Sequence, residues 1–173
     1  MKKALLIVDV LTGIFQLDEE VYEGERFLQG IERLLEKARR AAVPVVYIQH
    51  RGPKGSPFEK GAVGWEIHPR LKPSNDDFII EKRHPDAFHG SELAEVLAKS
   101  GARELVICGF ATEACVDTTV RSAYGRDYSV VLVSDCHTTT RNEVLGAELI
   151  IRHHNLVLQR FAAVKPEAEI DLG

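Results

Sequence analysis

Three side chains suited to covalent chemistry stand at or soon after the ends of apolar runs of the chain. Asp9 falls within the run Ala4–Val10, Lys82 follows Phe78–Glu81, and Cys115 follows Leu105–Cys108 by way of a short loop, Gly109 to Ala114. A thiol, a carboxylate and an ammonium together make a nucleophile with its proton handling. Cys115 also falls at the expected start of a helix, where free amide groups and the helix dipole favour a thiolate, and Lys82 nearby adds to that. The sequence therefore predicts a lowered thiol pKa, with Asp9 taking the thiol proton and later delivering it to a leaving amine. Taken singly, each residue has an ordinary explanation. An Asp that ends a strand caps a turn, and a lone Cys is a small buried hydrophobe. Convergence of all three on one sheet edge favours the chemical reading.

That edge follows from the order of elements. Short runs rich in Val, Ile and Leu recur at Ala4–Val10, Val45–Gln49, Phe78–Glu81, Leu105–Cys108, Val130–Val133 and Leu156–Leu158. They are close to continuously apolar, as parallel strands covered on both faces are. Amphipathic stretches separate them. Phe27, Ile31, Leu34, Leu35 and Ala38 repeat at helical spacing opposite Glu32, Arg33, Glu36, Lys37 and Arg39. Ser91 and Glu92 open a second helix with Leu93, Val96 and Leu97 turned inward, closed by Gly101. The segments Cys115 to Tyr124 and Asn142 to His154 read as a third and a fourth, the last capped from a Thr-rich stretch. Strands alternating with helices imply an α/β domain with a parallel sheet and right-handed crossovers. In a doubly wound sheet of this kind, sites form at the carboxyl ends of the strands. One long irregular segment, from His50 to about Asp76, is expected to be ordered because it carries Phe58, Trp65 and Ile67.

The 173 residues fit a single domain, 1–173, and the balance of 45% hydrophobic and 28% charged residues suits a globular protein. The net charge of −4 is scattered, with no basic face for nucleic acid and no polybasic run for a membrane, so a small-molecule partner is expected. Cys108, Cys115 and Cys136 form no CxxC, and three sparse cysteines point to reduced thiols in a cytoplasm. The opening lysines and apolar run fail as a signal peptide because Asp9 interrupts them, and no run reaches membrane-spanning length.

The segment Gly109-Phe110-Ala111-Thr112-Glu113-Ala114-Cys115-Val116-Asp117-Thr118-Thr119 resembles the nucleophile segment of isochorismatase-like cysteine hydrolases, a group that includes nicotinamidases and N-carbamoyl amidohydrolases. Leu6-Ile7-Val8-Asp9-Val10 resembles their first strand. Glu81-Lys82-Arg83 with Asp86-Ala87-Phe88 and Ser91-Glu92-Leu93 resembles their lysine segment. The resemblance implies a three-layer α/β sandwich with a six-stranded parallel sheet of order 3-2-1-4-5-6 and an Asp9–Lys82–Cys115 triad. It also implies a cis bond at Phe110–Ala111 that aims the Ala111 amide, with that of Cys115, at an oxyanion. The implied reaction is hydrolysis of a C–N bond in a small amide, ureide or carbamoyl compound, without a cofactor, in a homo-oligomer (dimer or tetramer).

The departures narrow this. Nicotinamidases carry Asp-x-His after the second strand, whereas this chain has Gln49-His50-Arg51, so no metal site is expected from His50 and His68. Isochorismatases proper lack the cysteine, so Cys115 argues against that reaction. Phe15, Gln49, Trp65, Phe88 and His84 lie on segments expected to line the pocket. His137 reads as part of a capping turn, Cys108 as core and Cys136 as a thiol behind the site. A silent or redox-sensing thiol protein on the same fold is the alternative, but sensing requires neither Asp9 nor Lys82. A nucleotide binder would need a glycine-rich loop, and only Gly13 follows Asp9 closely.

Overall fold

The computed structural model of the protein describes residues 1–173. The apolar runs form six strands: β1 (Lys3–Val8), β2 (Val45–His50), β3 (Phe78–Lys82), β4 (Glu104–Phe110), β5 (Ser129–Thr138) and β6 (Ala163–Lys165). All pair in parallel in the order β3-β2-β1-β4-β5-β6. Side chains alternate across the sheet, so β1 feeds two cores. Leu5 and Ile7 join Tyr47, Val106 and Cys108 on one face. Ala4, Leu6 and Val8 join Val46, Ile48 and Ile107 on the other.

The first face is covered by α1 (Gly24–Arg40), whose Phe27, Ile31, Leu34, Leu35 and Ala38 are buried as their spacing predicts. The second is covered by α2 (Leu93–Ser100) and α3 (Asp117–Tyr124), through Leu93, Leu97, Val120 and Ala123. Ser91 does start α2, its hydroxyl accepting from the Leu93 N–H at 3.2 Å, and Gly101 ends it at φ 72°. With α4 (Ala147–Val157), the result is the three-layer α/β arrangement.

Strand order reverses between β1 and β4, and the crevice outside their carboxyl ends is where such sheets hold ligands. Gly109 allows the two backbones to close there. It sits opposite Val8 with φ +133°, and a Cβ on it would lie 2.1 Å from the Val8 carbonyl oxygen. A side chain therefore meets both a forbidden φ and backbone that has nowhere to move. Gly109→Ala is expected to destabilise the fold by about 3 kcal/mol or more, read as a lowered denaturant midpoint. A midpoint within experimental error of the native one would mean the β1–β4 approach is looser than described.

The long segment after β2 is ordered against the body. Thr12 N–H donates to Glu66 O at 2.8 Å, His68 N–H to Val10 O at 3.0 Å, and the Tyr47 hydroxyl to Leu71 O at 2.8 Å. Phe58 and Ile67 pack on the core beneath it.

Three elements differ from the sequence reading. β5 runs on to Thr138 instead of ending near Val133. Its register against β4 slips where Ile107 pairs with Leu132 but Gly109 with His137, so the chain bulges through Val133–Cys136 and then rejoins the sheet. The fourth helix starts at Ala147, five residues later than Asn142, because the Asn142 side chain accepts from the Val144 and Leu145 N–H groups and holds a turn. The last strand is Ala163–Lys165, not Leu156–Leu158. Leu156 and Val157 continue α4, with Ile150 and Leu158 buried and Leu156 two-thirds exposed, which is helical periodicity.

Candidate active site

Asp9 follows β1 with φ 51°, a left-handed conformation that Asp tolerates better than most residues. Its N–H donates to Ile48 O and its carbonyl accepts from Leu11 N–H, both at 2.9 Å, which fixes the turn. Lys82 is the last residue of β3, two strands away and about 10 Å across the sheet from β1 at ordinary strand spacing. A long side chain is required to close that span. Lys82 is fully buried and its Nζ reaches over the end of β2 to within 2.7 Å of Asp9 Oδ2.

The same Nζ donates to Cys115 Sγ at 3.2 Å and to the His84 carbonyl at 3.0 Å. A lysine ammonium has three donors; two are committed to these acceptors and the charge of the group faces Asp9. The Asp9 contact is an ion pair outside the angle of a directed hydrogen bond, and Asp9 Oδ1 is buried with no partner. One carboxylate oxygen is thus held while the other is open to accept a proton.

Cys115 lies in a wide turn, Thr112–Val116, between β4 and α3, closed by an i to i+5 bond from Val116 N–H to Ala111 O at 3.1 Å. Such turns recur at functional sites. The Phe110–Ala111 peptide is cis. The Ala111 N–H donates to no backbone or side-chain acceptor, and the Cys115 N–H donates to nothing outside its own turn. The turn is tied down from behind: Thr112 Oγ1 lies 2.8 Å from Nδ1 of buried His137, whose Nε2 is 2.9 Å from Asn155 Oδ1. Burial lowers His137 to about 4, against the Asn155 bond, so the ring is neutral and acts as a rigid bridge. His137 is therefore a strand residue of the sheet, not part of a capping turn. The β5 bulge, invisible in the sequence pattern, puts it there.

The thiol itself corrects an expectation. Burial, and next the charge of Asp9, push Cys115 up to about 12, with Lys82 opposing. Cys115 lies in the turn that leads without a break into α3, at the start of that helical stretch, but burial outweighs what its position contributes. Burial and Asp9 thus disfavour a thiolate at rest. Alkylation of Cys115 by iodoacetamide, followed by mass spectrometry, is expected to accelerate steadily from pH 7 to pH 10 without levelling. A plateau with a midpoint near 7 would mean a preformed thiolate. Cys108 and Cys136, both buried and both pushed up by burial, are expected to stay unmodified. Cys136 packs against Gly30 of α1 in the core, away from the reacting thiol.

The other residues singled out in the sequence divide. Gln49 is buried and its Nε2 donates to Trp65 O at 2.8 Å, so it anchors the long loop. Trp65 is half-buried, with Lys60 Nζ 5.5 Å from its ring centroid and an indole N–H that is buried without an acceptor. Phe15 is half-buried and its ring centroid lies 4.9 Å from that of His68. Phe88 is in the core instead of the pocket. It stacks on Tyr128 at 5.8 Å beside Arg126, residues that precede β5 at the opposite edge of the sheet. His50 and His68 are both lowered chiefly by burial, and no group of three His, Cys, Asp or Glu side chains is gathered to hold a metal ion.

The isochorismatase domain model matches residues 3–164. A streptothricin hydrolase of Streptomyces noursei is 35% identical over 137 residues, which is 79% of this chain and 54% of that one. The chain thus spans about half the length of that relative. The uncharacterised isochorismatase family protein YddQ of Bacillus subtilis (strain 168) is 33% identical over 144 residues, covering 81% of this chain and 80% of its own. The crystal structure of an isochorismatase from Pseudomonas putida KT2440 superposes with a TM-score of 0.93 at 30% identity, over 98% of this chain and 90% of the other.

Proposed function

The chain belongs to the isochorismatase domain family, and from that premise we propose that it is a hydrolase cleaving a C–N bond of a small amide, ureide or carbamoyl compound through a thioester on Cys115. The observation that carries this reading is Lys82 Nζ lying 2.7 Å from Asp9 and 3.2 Å from Cys115 Sγ. A relative named as a hydrolase supports the reaction class.

Each step follows from the site. Sγ attacks the carbonyl carbon as its proton passes to Asp9, so no free thiolate accumulates at a group held near 12. The carbonyl oxygen becomes an oxyanion, held by the N–H groups of Ala111 and Cys115, donors that need no reorganisation. Asp9 returns the proton to the departing nitrogen, the C–N bond breaks, and ammonia or an amine leaves. Water then attacks the thioester while Asp9 takes its proton. The C–S bond breaks, the acid departs, and the proton goes back to sulfur. Lys82 holds Asp9 and Sγ in register and offsets the negative charge that passes between them. We place this chemistry in a cytoplasm, where three free cysteines stay reduced.

The test is ammonia release from a panel of nicotinamide, N-carbamoyl amino acids, biuret and aliphatic amides, with Cys115→Ala run alongside. Release by the native protein only is the expected result. Equal release by both proteins rules out the thioester.

A further inference from the structure

A chain of buried polar groups runs behind the reacting thiol, and the reaction steps make no use of it. His137, Thr138 and Thr139 are consecutive and buried. Thr138 Oγ1 donates to Tyr22 O at 2.7 Å, ahead of α1, and Thr139 Oγ1 donates to Glu113 Oε1 at 2.9 Å, inside the wide turn. His137 meets Thr112 of the same turn, and its partners fix where its proton sits. Asn155 Nδ2 donates to Ser134 O at 3.0 Å, so Oδ1 is the amide atom that faces His137 Nε2 at 2.9 Å. An amide oxygen only accepts, so Nε2 carries the hydrogen. Burial keeps the ring neutral, which leaves Nδ1 as an acceptor for the Thr112 hydroxyl 2.8 Å away. The bonds run one way, from Thr112 through His137 on β5 to Asn155 on α4, and end on the Ser134 carbonyl in the β5 bulge.

We propose that His137 is a positioning residue for the reaction: by accepting the Thr112 hydroxyl it fixes the turn that carries the N–H groups of Ala111 and Cys115, the two oxyanion donors. The inference rests on the hydrolytic reading for what those donors do. Ala111 directly precedes Thr112 and Cys115 lies three residues after it, so a rotation at Thr112 moves both amides. The register slip of β5 sets His137 opposite Gly109, at the exit of β4 toward the turn. Stability alone does not require such a chain. An apolar pair of the same shape serves a core about as well as a buried hydrogen bond, whereas a fully bonded polar chain holds one arrangement. Oxyanion donors depend on that, because they act without reorganising as charge develops.

The test sets Thr112→Val against Thr112→Ser. Valine keeps the volume and removes the hydroxyl, while serine keeps the hydroxyl and removes a methyl group. Both are assayed on a panel compound from which the native protein releases ammonia, with rates normalised to folded protein. Thr112→Val is expected to lose about 10- to 100-fold in kcat with KM little changed, and Thr112→Ser to keep most of the native kcat. A native kcat in Thr112→Val, or a kcat in Thr112→Ser as low as in Thr112→Val, overturns the proposal. Two readouts need no substrate. The nitrogen NMR spectrum of the native imidazoles at pH 7 is expected to show His137 protonated on Nε2, and a proton on Nδ1 overturns the proposal. Iodoacetamide is expected to label Cys115 faster in Thr112→Val than in native or Thr112→Ser protein, because the turn is freed. If the native protein releases no ammonia, the hydrolytic reading fails by itself, and equal labelling of the three proteins is then what overturns the positioning.

Discussion

Cys115→Ala is expected to lower ammonia release by about 10⁴-fold or more, the scale seen when a covalent nucleophile is removed, while the protein stays folded. The two halves of that expectation have separate grounds. Activity falls because no other thiol can substitute: Cys108 and Cys136 are buried in the core under α1, and burial pushes both thiols up. The fold is retained because Sγ is only one of three groups that Lys82 Nζ contacts. The ammonium keeps Asp9 at 2.7 Å and the His84 carbonyl at 3.0 Å after the sulfur is gone. The bond lost has a charged donor, worth about 1.5–3 kcal/mol, so a lowered melting temperature with the fold retained is expected. Thermal melting and the steady-state assay on the same preparation check both. Turnover within about tenfold of the native protein would mean that water is activated directly, most simply by Asp9, and that the thiol is a bystander.

The position of the thiol on the ladder of reactivity decides which mechanism the site runs. Burial and the neighbouring charge of Asp9 both disfavour a free thiolate at rest, against the opposing pull of Lys82. A site built around a resting thiolate would not place a carboxylate beside sulfur. A site that transfers the proton during attack needs that carboxylate there, with one oxygen free. Asp9 Oδ1 and Oδ2 are both buried without a hydrogen-bond partner, Oδ2 being held by the charge of Lys82, which supports the second arrangement for the mechanism we propose.

The sequence made this edge of the sheet legible because strand ends carry it. Asp9, Lys82 and the Gly109–Cys115 segment each follow a continuous apolar run, and parallel pairing delivers such ends to one side. What the sequence hid was long-range. The sign of the Cys115 shift depends on how deeply the thiol is buried between β4 and α3. The role of His137 depends on a register slip of β5 against β4. Phe88 and Trp65 are both aromatics near loops, and only packing separates the one stacked on Tyr128 from the one whose carbonyl is held by Gln49. The end of α4 and the short β6 turn on a few apolar residues whose helical and extended patterns overlap.

Asp9→Asn is expected to lower turnover by about 10³-fold, within the range for a lost general acid and base, and at the same time to make Cys115 more reactive toward iodoacetamide at pH 8. The opposite signs are the point. Asp9's negative charge raises the Cys115 thiol while Lys82 lowers it. Asparagine keeps the shape and removes the charge, so Lys82 acts on sulfur unopposed and the thiolate forms at a lower pH. Catalysis still fails, because the amide accepts no proton from sulfur and donates none to the leaving nitrogen. The variant also leaves a fully buried ammonium without its counter-charge, a loss of about 3–5 kcal/mol in comparable buried pairs, so both measurements belong well below its lowered melting temperature. A merely structural Asp9 would give a different pattern: labelling of Cys115 unchanged or disordered, and turnover falling only with the folded fraction. Faster labelling with absent turnover separates the ability to form a thiolate from the ability to use it, and assigns the second to Asp9.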